Sequence, residues 1–101
     1  MMMVRSQNKE FITFLENIQG IKIYKETDES ASIVFGYVKG SKTMGQYHSY
    51  QVALKVLDMI QEAYSEYQIM LNFSVSYLHE FKEKTDGFVI FQMPEDSEVE
   101  A

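Results

Sequence analysis

One stretch of this 101-residue chain admits a single regular conformation, and the rest must be built around it. Ala53, Val56, Leu57, Ile60, Ala63, Tyr64 and Tyr67 recur at helical spacing, while Gln51, Lys55, Asp58, Glu62 and Glu66 take the opposite side. This is an amphipathic helix with one face to bury. Neither glycine nor proline interrupts it before Gln68. Ser49 stands at the N-cap, where its hydroxyl can accept from an unpaired N–H of the first turn. A chain of this length forms one core, so the apolar stripe must pack on a sheet made from the remaining residues.

The strands are legible on both sides of the helix. Ile21 to Lys25 alternates with period two, Glu26 to Ser30 is a polar turn, and Ile33 to Val38 is rich in strong strand formers. Lys39 to Lys42 reads as a second turn and Thr43 to Tyr47 as a short strand. Phe88 to Gln92 is a last strand, stopped by Pro94, which has no N–H for a ladder. Two segments fit either conformation. Phe11, Phe14, Leu15 and Ile18 have helical spacing, yet Phe11 to Phe14 also suits a strand. Phe73 to Tyr77 alternates like a strand, while the helix formers in Leu78 to Lys84 favour a helix over 69–84. The expected fold is α+β: a small antiparallel sheet, with a meander of about four strands plus a C-terminal strand, on one long helix and a second helix. Residues 1–94 form the domain, and the acidic run 95–101 is expected to be a solvated tail.

Composition removes several functions. The net charge is −6, and Arg5 is the only arginine, so a nucleic-acid backbone is not an expected partner. No run approaches the ~18 apolar residues of a membrane span, and Met1 to Arg5 is too short for a secretory signal. The expectation is a soluble cytoplasmic protein. Without cysteine there is no thiolate zinc site and no thiol nucleophile. His48 and His79 lie far apart with no matching ligand set, and the carboxylates concentrate in the 26–30 turn and the tail. Gly36, Gly40 and Gly45 are too sparse to cradle a phosphate, and Ser49 has no histidine–acid framework. No catalytic residue, metal or cofactor is expected. What stands out is the aromatic content, seven Tyr and seven Phe, more than such a core can hide completely. Tyrosine keeps its hydroxyl near water or a partner, so the excess reads as core plus rim or, more sharply, as an interface or a stacking surface for a planar ligand. Arg5 reads as an exposed residue near a frayed terminus or as the anchor for a phosphate or carboxylate, which its planar fork can bind bidentately.

Three pieces of the chain, in order, resemble a family of small proteins from phages and integrated elements of Gram-positive bacteria. Val4-Arg5-Ser6-Gln7-Asn8-Lys9 is similar to that family's Arg-Ser-Gln-Asp-Lys opening. Gly45-Gln46-Tyr47-His48-Ser49, with Ala53 to Tyr64 behind it, is similar to its Leu-Gly-x-Tyr-Ser/Thr turn and Ala-x-x-Val-Leu-x-x-Ile helix. Phe91-Gln92-Met93-Pro94-Glu95 is similar to its aromatic-x-Met-Pro-Glu ending. Met44 replaces the usual leucine, and 69–87 looks like an insertion. The resemblance implies that residues 9–19 are strand rather than helix. It brings no activity, but a phage origin implies a non-enzymatic host-takeover or anti-defence factor. The first expectation is a homo-oligomeric sponge for a small nucleotide-derived immune signal, with Arg5, Gln7, Tyr47, His48 and Phe91 as the ligand-binding set. The alternative is an inhibitor that binds a host enzyme or defence protein through an acidic, nucleic-acid-mimicking surface.

Overall fold

The computed structural model describes residues 2–27, 29–71 and 89–99. Six strands and one long helix follow in the order β1 (Met2–Arg5), β2 (Ile12–Phe14), β3 (Gly20–Thr27), β4 (Ser30–Tyr37), β5 (Gly40–Tyr47), α1 (Tyr50–Leu71) and β6 (Val89–Gln92). The α+β class holds, but the strands form two sheets rather than one. One is the antiparallel meander β3-β4-β5; the other has the order β2-β1-β6, with β6 parallel to β1. Both sheets and the helix share a core around Val4, Ile33, Phe35, Met44, Tyr47, Val52, Val56 and Ile60.

Strand β1 was not expected from so short an apolar run at a terminus. Its alternation explains it: Met2 and Val4 are fully buried, whereas Met3 and Arg5 face the other way. The 9–19 ambiguity resolves into a strand, Ile12–Phe14, followed by a single 3₁₀ turn, Leu15–Asn17. The strand reading thus holds for three residues, and the helical spacing of Phe11, Phe14, Leu15 and Ile18 marks no α-helix. The turn expected over 39–42 is shorter, because β5 already starts at Gly40. Within β5 the register shifts opposite Ile33 and Val34, which pair with Gly45 and Thr43. Met44 is thus the extra residue of a bulge, and Met44 and Gly45 are both buried although adjacent.

Helix α1 begins as expected, with the Val52 N–H donating to Ser49 Oγ at 3.1 Å. Ala53, Val56, Ile60 and Tyr67 are buried along the predicted stripe. The helix runs on to Leu71, past Gln68, since Ile69 and Met70 are compatible with it. The second helix proposed for 69–84 otherwise lies outside the described residues. Beyond β6 the chain does not behave as a free acidic tail. Asp96–Glu98 form a 3₁₀ turn with a capping box between Glu95 and Glu98, and Val99 is buried in the main core. An apolar side chain at 99 supplies the burial that the acidic composition seemed to lack.

Candidate functional site

Three of the five residues singled out from the sequence, Gln7, Tyr47 and His48, lie around one junction, where the β1–β2 loop meets the end of β5 and the segment after β6. The loop closes on itself first. The Ser6 N–H donates to the Phe11 carbonyl at 2.7 Å, Lys9 N–H to Ser6 O at 2.9 Å, and Ser6 Oγ–H to Asn8 Oδ1 at 2.6 Å. Lys9 completes the turn in the left-handed region, at φ 67.

Gln7 then projects from this loop onto the edge of β5. Its N–H donates to Met44 O at 2.8 Å, and its Oε1 accepts from the Gln46 N–H at 2.9 Å. Its Nε2 donates to Gln46 O at 3.0 Å and Pro94 O at 3.2 Å. Both ends of the amide are spent, so Gln7 works as a one-residue extension of the meander. Gln92 makes the matching tie from β6, with Nε2 donating to Ser6 O at 2.8 Å.

Tyr47 is buried, and its hydroxyl donates to Pro94 O at 2.9 Å. Burial raises its pKa far above the usual tyrosine value, and the charges of Asp96 and Glu98 add to the shift. A ring so enclosed has no face to stack on a ligand. The Gly-x-Tyr spacing has its reason here. A Cβ on Gly45 would stand 2.8 Å from the Tyr47 hydroxyl oxygen and 3.0 Å from its ring, so only glycine lets the ring fold back along the strand toward Pro94.

His48 is exposed and tied to Asp96. The carboxylate accepts from the His48 backbone N–H at 3.0 Å and contacts Nδ1 at 2.8 Å. Phe91 is half-buried and packs against both core clusters, the second of which is made by Met2 and Tyr67. Arg5 differs from the others. Its Nε donates to Lys9 O at 3.1 Å, and its register partners Ile12 and Gln92 place it on the outer face of the β2-β1-β6 sheet. That face also carries Met3, Phe14 and Ile90, and none of its six positions is acidic. Ile12 and Ile90 are 50% and 58% exposed. Nothing local marks the residues that complete the junction, Ser6, Gln92, Pro94 and Asp96, because their partners are remote in sequence; only the Ser6-x-Asn8 turn chemistry was there to be read.

An open apolar groove of about 560 Å³ lies elsewhere, between the β2–β3 link and α1, lined by Leu15, Ile18, Ile21, Leu57, Ile60 and Tyr64. Among the described residues no group of three or more acidic or histidine side chains is placed to hold a metal ion. No helix there is long and apolar enough to cross a membrane.

Fold and site together define a small α+β domain whose polar junction is satisfied from within. The chain belongs to the family described as GPR128 GAIN subdomain B, whose model matches residues 16–95. That match begins after β2, so the strand bearing Arg5 and the loop bearing Gln7 lie outside it. No curated protein and no solved structure matches the chain.

Proposed function

We propose that this chain is a non-enzymatic binding protein of a phage or prophage, acting in the host cytoplasm as an oligomeric sponge for a nucleotide-derived immune signal. The observation that carries the reading is the placement of Arg5. It stands on a sheet face without a carboxylate, beside half-buried Phe14 and Met3 and exposed Ile12 and Ile90. An apolar shelf with a planar cation at its end suits a base or ribose on the shelf and a phosphate on the guanidinium. The non-enzymatic reading is supported by the junction, whose Gln7, Tyr47 and His48 groups are held by the backbone of Met44, Gln46 and Pro94 and by the Asp96 carboxylate. Such groups are scaffold, and of the predicted set Arg5 is the residue on which recognition rests.

Thermal-shift measurements against cyclic and ADP-ribose-type nucleotides test this, since a ligand that binds only the native state raises the melting temperature. Arg5→Ala should weaken the responding nucleotide by roughly 1.5–3 kcal/mol, the range for a charge-assisted hydrogen bond. The second reading, an inhibitor that docks on a host protein, is favoured by the exposed Ile12 and Ile90 on that same face. No shift across the nucleotide panel, with capture of a defined host protein that is lost in Ile12→Lys, would replace the first reading by the second.

A further inference from the structure

The two edges of the meander are treated differently. On β5, Gln7 bonds the backbone of Met44 and Gln46, which covers that edge at its C-terminal end. On β3, eight residues long and free of proline, no strand among the described residues pairs with the outer edge. Edge strands of this length invite pairing, and natural proteins discourage it with lysines and bulges. Lys22 and Lys25 are present here, and the register breaks between Lys25 and Thr27. The stretch from Gly20 to Lys25 pairs regularly with β4, so its free side is straight enough to receive a strand.

We infer that β3 is a self-pairing edge, and that its partner is β3 of a second copy, antiparallel about a two-fold axis at Tyr24. The sequence of the strand selects this register. A two-fold axis normal to the sheet keeps both cores on one side only if it passes through a residue position. Centred on Lys22 or Lys25, it would place identical ammonium groups opposite each other, which is unfavourable. Centred on Ile23, it sets Glu26 against Gly20. Centred on Tyr24, it sets Lys22 against Glu26 of the second copy, twice by symmetry, with the two Tyr24 rings side by side between them. Tyr24 is 58% exposed, an unusual exposure for an aromatic in mid-strand. Glu26 is the residue at the register break, with no register partner in β4, and is steered onto this face, since its Oε1 accepts from Ser32 Oγ at 2.8 Å. Its Oε2 has no partner among the described residues. Lys25 falls opposite Ile23, where its stem covers the apolar side chain. The lysines that discourage promiscuous pairing thus become complementary in one register, and two meanders form a continuous six-stranded sheet. The inference stands apart from the nucleotide reading, because it needs no ligand.

The chain contains no cysteine, so single-cysteine variants test the register directly. Directly opposite residues of an antiparallel pair lie about 4.5–5.5 Å apart at Cα, within the span of a disulfide. Tyr24→Cys should therefore form a covalent dimer under mild oxidation. Lys22→Cys should not, because its own counterpart would lie more than about 13 Å away along the strand. Light scattering of the unmodified protein should show the mass rising with concentration from 11.8 kDa toward twice that value. Glu26→Lys should abolish the rise, and Lys22→Glu combined with Glu26→Lys should restore it. A monomer at every concentration overturns the inference, as does Lys22→Cys cross-linking as fast as Tyr24→Cys. Nucleotide binding by a strict monomer would overturn this inference and the oligomeric part of the proposed function, and leave nucleotide recognition by Arg5 in place.

Discussion

The two ends of the β3-β4-β5 sheet each carry an inward tyrosine, and the hydroxyls have opposite fates. At one end Tyr47, paired with Ala31, donates to Pro94 O. At the other Tyr37, paired with Gly40, has a buried hydroxyl oxygen with no hydrogen-bond partner among the described residues. The sheet chemistry is the same, so the difference comes from what reaches each end. The segment after β6 brings a carbonyl to Tyr47, and the Gln7 loop brings donors and acceptors to the neighbouring edge. Polar satisfaction in this domain is therefore concentrated where its two chain ends meet.

Glycine substitutions give the largest expected contrast. Gly45→Ala places a methyl against the Tyr47 ring and hydroxyl. Overpacking of this kind costs about 1–3 kcal/mol, and displacing the ring forfeits the Pro94 bond, worth about 1 kcal/mol more. Gly36→Ala in the adjacent strand meets only the Gly20 carbonyl at 3.7 Å, an ordinary contact. It should be neutral or stabilising by up to about 1 kcal/mol, as glycine is a poor strand residue. Urea unfolding of the two variants decides it, and equal losses would mean that the Gly45 contact is not special.

Removing single hydroxyls comes next and should give opposite signs. Tyr47→Phe removes one of two donors to Pro94 O, the other being Gln7 Nε2, and should cost about 0.5–1.5 kcal/mol. Tyr37→Phe removes an oxygen that makes no bond, so it should be neutral or stabilising. A destabilising Tyr37→Phe would reveal a partner outside the described residues and end the comparison. The burial of Tyr47 also shows in alkali. Tyr47 has its folded-state pKa raised, mainly by burial, so the native state holds a proton that the unfolded chain loses above about pH 10. Its stabilising contribution is complete below that pH and falls above it by about 1.4 kcal/mol per pH unit. Tyr67 is shifted in the same direction, first by burial and then by Glu16 and Tyr64. Tyr47→Phe should flatten the decline only in part, and an unchanged slope would exclude Tyr47 as its source.

How much of this was legible follows from sequence distance. The helix and the meander are local objects, and 3.6- and 2-residue periodicities in Ala53–Tyr67 and Ile21–Val38 located them. The terminal sheet is not local. Met2–Arg5 becomes a strand because β6, more than eighty positions away, lies parallel to it, and no periodicity in four residues announces that. The candidate site divides along the same line. Tyr47, His48 and Gln7 stood out as polar or aromatic groups without an evident structural task. Their tasks were supplied by Gln46, Pro94 and Asp96 once the fold brought those together. Gly45 was read as a turn residue, whereas it lies inside β5 and clears space for Tyr47.

The smallest expected effect concerns the outermost tie of the satisfied end. His48 and Asp96 are 58% and 39% exposed, so an ion pair between them is screened and worth little. The Asp96 carboxylate also accepts from the His48 backbone N–H, just ahead of the positive end of α1, where an anion gains roughly 0.3–1 kcal/mol. The carboxylate, more than the imidazole, should therefore carry the contact. Asp96→Ala is expected to lower stability by less than about 1 kcal/mol, and His48→Ala by less than that, since the backbone donor stays in place. Raising the salt to 1 M, where screening acts within about 3 Å, should shrink the Asp96→Ala effect. If His48→Ala proves as costly as Asp96→Ala, the imidazole is the anchor, and the C-terminal turn is held by a side-chain pair instead of by the start of the helix.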